Sequence, residues 1–170
     1  MRSAPGVTRT MNSGSANHGI VFSSCRREPP QITFHPASVR SVHEAALEEA
    51  ERHKWIESQK QGRDLGWSAL DEWFSRFWLP YCRQRRLEHI QGSRLWVEFE
   101  ATEFGRLSEL LYLGDLLLDR ILDRMEHGYE NLDIINWAMD WGLCIDRVLS
   151  LLELIDINRA RLPPRCYGMG

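Results

Sequence analysis

Two stretches decide the fold: residues 104–125, FGRLSELLYLGDLLLDRILDRM, and residues 134–155, IINWAMDWGLCIDRVLSLLELI. In the first, Phe104, Leu107, Leu111, Gly114, Leu118, Ile121 and Met125 recur at alternating steps of three and four. In the second, Ile134, Ala138, Trp141, Ile145, Val148, Leu152 and Ile155 do the same. Such steps keep side chains on one face of a helix. Two runs of this length, joined by a polar turn at residues 128–131, predict an antiparallel helical hairpin. Leu110, Leu113 and Leu117 widen the first stripe, and Leu149, Leu151 and Leu154 the second. Stripes this wide need further helices or a partner to cover them. The expected class is all-α, a bundle of about four helices that includes the C-terminal hairpin.

Upstream, Ser41-x-x-Glu44 has the spacing of a capping box and opens a helix running to about residue 61. Val42, Ala45, Ala46, Ala50, His53 and Ile56 fall near one of its faces. Gly62-Arg63-Asp64-Leu65-Gly66 breaks it, since glycine takes the left-handed conformation past a helix end. A second start is expected at Ser68, with Asp71 three residues on. Leu70, Phe74, Phe77 and Tyr81 draw its stripe, Pro80 kinks or restarts it, and Gly92 ends it. Residues 95–100 read as an extended connector or a short helix, with no second strand to pair them.

The chain therefore divides into a disordered tail over residues 1–39, a bundle domain over 40–157 and a short Arg/Pro tail over 158–170. The tails carry +3 each, and residues 40–97 carry +1. Residues 98–156 hold four arginines against fourteen acids, a balance of −10 within a whole-chain charge of −3. Such an acidic half repels phosphate, so any nucleic-acid contact belongs to the first half or the tails. Cys25, Cys82, Cys144 and Cys166 are scattered without a CxxC pair. That spacing speaks for buried, reduced thiols in a cytoplasmic protein rather than for zinc or a redox motif. No apolar run suggests a secretion signal or membrane insertion.

Asp115, Asp119, Asp123 and His127 repeat at i+4, as metal or acid–base groups on a helix would. Arg120 and Arg124 stand beside them, and a solvated face with helical ion pairs is the expectation. Glu49, His53 and Glu57 share a face and read as a salt-bridged helix around a partly buried histidine. No phosphate loop, nucleophile elbow or zinc-protease motif occurs, so neither cofactor, metal nor catalytic residue is expected.

Arg76, Arg83, Arg85, Arg86 and Arg94 interleave with Trp73, Phe74, Phe77, Trp78, Tyr81 and Trp96. Arginine with aromatics serves a protein hot spot, a single-stranded nucleic acid, or a core with a wet edge. The expected function is a non-catalytic protein-interaction module, self-associating or an adaptor in a larger complex. Its expected contact patch is Trp67, Trp73, Trp78, Arg83 and Arg86. On that reading, Trp78→Ala with Arg86→Ala leaves the fold intact and weakens partner binding. The alternatives are RNA or single-stranded DNA binding through the same patch, and a bundle enzyme or metal protein.

The stretch His53-Lys54-Trp55-Ile56-Glu57-Ser58, Gly62-Arg63-Asp64-Leu65-Gly66, Ala69 and Trp73 resembles a pattern of uncharacterised bacterial helical proteins. The resemblance implies a helical corner and a bacterial source, and it carries no activity. Physically, Trp55 would pack on the next helix, Gly62 and Gly66 would permit the turn, and Asp64 would accept from exposed amides.

Overall fold

The computed structural model describes residues 39–165; most of the expected N-terminal tail, with Cys25, and the end of the C-terminal tail, with Cys166, lie outside the described residues. The class is all-α. Among the described residues there are six α-helices: α1 Val42–Gln61, α2 Gly66–Gln91, α3 Ser108–Tyr112, α4 Leu116–Glu126, α5 Asn131–Asp140 and α6 Ile145–Ile155. Two 3₁₀ turns, Ala101–Glu103 and Ile157–Ala160, complete them.

α1 begins where its sequence predicts, with Ser41 Oγ accepting from the Glu44 amide at 3.4 Å. The second half of the cap comes from far away. Glu98 accepts from the Val42 amide at 2.7 Å and from the Ser41 hydroxyl at 2.5 Å. A carboxylate at a helix N-terminus satisfies amides that have no partner in the helix and opposes the positive end of its dipole. Residues 95–100 are delivered there by a single parallel bridge between Arg40 and Trp96. The pairing partner that the connector lacked in the sequence is thus one residue just ahead of α1.

The α1–α2 corner follows its turn chemistry. Gly62 and Gly66 sit at φ 66° and 56°, and Asp64 Oδ1 accepts from the Gly66 amide at 2.9 Å. α2 starts at Gly66 rather than Ser68, because the Ser68 hydroxyl donates to the Leu65 carbonyl at 2.8 Å instead of capping amides. Pro80 does not interrupt it; α2 is continuous from Gly66 to Gln91. Trp55 stays 64% exposed and does not cover α2.

Each long helix expected in the second half is two short ones. Gly114, Gly128 and Gly142 all take positive φ, and so does Asp156, the one non-glycine residue among the described residues that does. These four helix terminators are fourteen residues apart. Fourteen is two heptads, so the three–four rhythm of apolar residues runs through the breaks undisturbed. Gly114, counted in the sequence as a seam position, is a stop, and so is Gly142, while Gly128 ends α4 in the expected polar turn. Asp115 then caps α4, accepting from the Leu117 and Leu118 amides at 3.1 Å.

Two apolar clusters form. One joins α4, α5 and α6 with Leu87 and Ile90 of α2, around Leu118, Ile121, Ile134, Val148 and Ile155. The other joins α1 and α2 around Val42, Ala46, Trp73, Trp78 and Cys82, with Trp96, Phe99 and Ala160. α2 contributes to both. The chain past residue 157 belongs to the packing too, since Ala160 is fully buried and the Trp78 indole donates to the Leu162 carbonyl at 2.7 Å.

Candidate interaction surface

The five residues expected to form one contact patch are separated by burial. Trp73, Trp78, Arg83 and Arg86 are all buried, and Trp67 alone is on the surface, 65% exposed. Trp73 meets Phe74 and Tyr81 edge-on, with centroids 5.1 and 5.5 Å apart. Trp78 stacks on His43 at 5.2 Å. Arg86 bonds Glu103, donates to the Ile155 carbonyl at 3.2 Å and lies 5.5 Å from the Phe99 ring centre. Arg83 bonds Glu130 and donates to the Tyr129 carbonyl at 2.6 Å, pinning the α4–α5 turn onto α2. The reason is that α2 is enclosed on several sides, by α1, by the Ile157–Ala160 turn and by the C-terminal helices. A helix enclosed in this way shows apolar and paired polar residues all round, which in sequence looks like an over-wide surface stripe.

Glu103 is the centre of the largest buried charge cluster. It is 3% exposed at its side chain, and Arg106 and Arg159 each approach it at 3.2 Å besides Arg86. Burial alone would raise its pKa, but the Arg86 hydrogen bond and the three guanidinium charges hold it below the usual carboxylate value. His89 is fully buried nearby. Its Nδ1 accepts from the Trp96 amide at 3.2 Å and its Nε2 faces the Glu100 carbonyl at 3.0 Å. That pairing fixes the neutral tautomer with the proton on Nε2, and burial lowers the His89 pKa.

The remaining sequence constellations resolve locally. Asp115 is the α4 cap and pairs with Arg147 at 2.6 Å, while Asp123 faces His127 at 3.6 Å on the exposed side. Glu49 pairs with Arg52 and Glu57 with Lys60, leaving His53 against the edge of Phe77. Among the described residues no group of three or more His, Cys, Asp or Glu is placed to hold a metal ion. No helix among them is long and apolar enough to cross a membrane. Cys82 is buried as expected, its thiol pushed up to about 12 by burial. Cys144 is instead exposed, because it caps α6 beyond the Gly142 break.

An open cleft of about 820 Å³ lies between α2 and the α4–α5 turn, walled by Trp73, Phe77, Tyr81 and Met125. Its arginines are already engaged within the chain. Arg83 is held by Glu130, and Arg85 bonds Glu88 and stacks 4.5 Å from the Tyr81 ring centre.

The surface feature missed in the sequence lies elsewhere. Tyr112, Leu113 and Leu116 flank the Gly114 turn with exposures of 52%, 70% and 77%, and Met139 and Trp141 precede the Gly142 turn at 62% and 74%. The Arg147–Asp115 ion pair ties the two turns together. In the sequence Trp141 belongs to a seam and Leu113 flanks one; once glycine ends the helices, both fall outside the core, with Tyr112, Leu116 and Met139 beside them. Comparison with known proteins finds no matching family model, no similar curated protein and no similar solved structure.

Proposed function

We propose that the chain is a non-catalytic helical protein-interaction module whose contact surface is formed by the Gly114 and Gly142 turns. The observation that supports this reading is the group of five large apolar side chains left more than half exposed there. At about 150–200 Å² for each side chain, they leave roughly 500–700 Å² of apolar surface in water. The largest patch on an ordinary monomer is about 300–600 Å², and one side of a standard interface is about 800 Å².

Nucleic-acid binding has less support. Of the five arginines on which it rested, Arg76, Arg83, Arg85 and Arg86 are ion-paired within the chain, which leaves Arg94, and the exposed apolar surface sits in the acidic half.

The test is recovery of partners from the source cells with nuclease present, comparing the natural chain with a Leu116→Ser, Trp141→Ser variant. Both positions are more than 70% exposed, so the helical signal of the variant stays unchanged. The reading expects one protein in stoichiometric amount with the natural chain and its loss with the variant. Equal recovery by both chains overturns it.

A further inference from the structure

The surface just described has a charge as well as an apolar area. Around it stand Glu109, Asp119, Asp140 and Asp146, none of which is in an ion pair among the described residues, where the ion pairs are those of other acids. Arg147, the basic residue at the junction of the two turns, is spent on Asp115 at 2.6 Å. Arg120, one turn after Leu116, is exposed and also in no ion pair among the described residues, so the frame of the apolar patch is net negative, with these four acids against that one arginine.

A second copy of this chain would bring the same acids face to face, and like charges across an interface cost affinity. Strand addition has nothing to extend, since pairing among the described residues is a single bridge between Arg40 and Trp96. What fits is an apolar stripe bordered by lysine or arginine. A helix carries both on one element, with anchors at i, i+3, i+4 and i+7 and cations on their flanks.

We propose that the Gly114 and Gly142 turns bind a basic amphipathic helix of a partner protein. The apolar stripe of that helix covers Leu113, Leu116 and Trp141, and its cations meet Glu109 and Asp140. This rests on the interaction function proposed above and names the chemistry of the partner.

The experiment uses the full chain and two dye-labelled peptides of about eighteen residues, read by fluorescence anisotropy. Both carry leucines at the i, i+3, i+4, i+7 spacing; one fills the other positions with lysine, the second with glutamate. The lysine peptide binds at least about tenfold tighter at low salt, and the advantage shrinks at high salt as charges are screened. Leu116→Ser with Trp141→Ser abolishes binding, Glu109→Gln with Asp140→Asn removes most of the lysine preference, and Trp67→Ser changes neither. Equal binding of the two peptides, or binding that survives Leu116→Ser with Trp141→Ser, overturns the proposal. So does a dimer by sedimentation that Leu116→Ser dissociates. Equal peptide binding with the natural partner still lost from the variant leaves the interaction reading standing and removes only the basic helix.

Discussion

Glu103→Gln measures how deeply the arginines of α2 are built into the fold. Arg86 is fully buried and its carboxylate partner nearly so, while Arg106 and Arg159 share the other carboxylate oxygen at 3.2 Å. The amide keeps the shape of Glu103 but removes its charge. Whichever way it is turned, its NH₂ points at guanidinium donors, either Arg86 or the Arg106–Arg159 side. Breaking a buried pair by neutralising one partner costs about 3–5 kcal/mol, because the other charge stays buried without compensation. A domain of this size has about 5–15 kcal/mol in total. With a urea slope of about 2 kcal/mol/M, the unfolding midpoint should fall by roughly 2 M. Replacing both partners, Arg86→Met with Glu103→Leu, removes the stranded charge and should be less destabilising than Glu103→Gln alone. The assay is urea unfolding followed by circular dichroism at neutral pH. A cost below about 1 kcal/mol for Glu103→Gln would mean that Arg86 is solvated, as a surface-patch residue would be.

Acid should weaken the fold in two steps. His89 and His43 have pKa values lowered by burial, so the unfolded chain takes up protons first as pH falls below about 6.5. Stability is then full above that value and declines below it, by at most about 1.4 kcal/mol per pH unit for each histidine. Melting temperatures between pH 8 and 5 check this, and a flat profile refutes it. Glu103 adds a later loss below about pH 4.5 as it is protonated, since its folded pKa is depressed. Gly142→Ala should cost about 1–2 kcal/mol, because its φ of 63° is strained for any side chain even though the space around it is open. Asp156→Gly should instead be neutral or stabilising by up to about 1 kcal/mol, as φ is 43° there. A thiol reagent should label Cys144 in the native protein within minutes and Cys82 only on unfolding; native labelling of Cys82 would contradict its burial.

Local signals in the sequence were legible and long-range ones were not. Ser41, Gly62, Asp64 and Gly92 act within a few residues of themselves, so α1, its corner and the end of α2 could be read directly. Apolar rhythm gave the class and the core residues of α4 and α6. It failed at Gly114 and Gly142, because breaks two heptads apart leave the rhythm intact. The site was misread for a related reason. Arg83 and Arg86 find their carboxylates 47 and 17 residues away, and no spacing rule on α2 announces such partners. The signal that was available is the glycine period itself: a leucine or tryptophan beside a helix-ending glycine is where apolar surface is left uncovered.

The location of the interaction surface is tested most directly by Trp78→Ala and Leu116→Ser measured side by side, by thermal melting and by partner recovery. Trp78 is 6% exposed and Leu116 is 77% exposed. Trp78→Ala should lose about 3–5 kcal/mol of stability, whereas Leu116→Ser should melt like the natural chain and recover less partner. An unchanged melt for Trp78→Ala together with lost binding would return the contact surface to α2 and contradict the account.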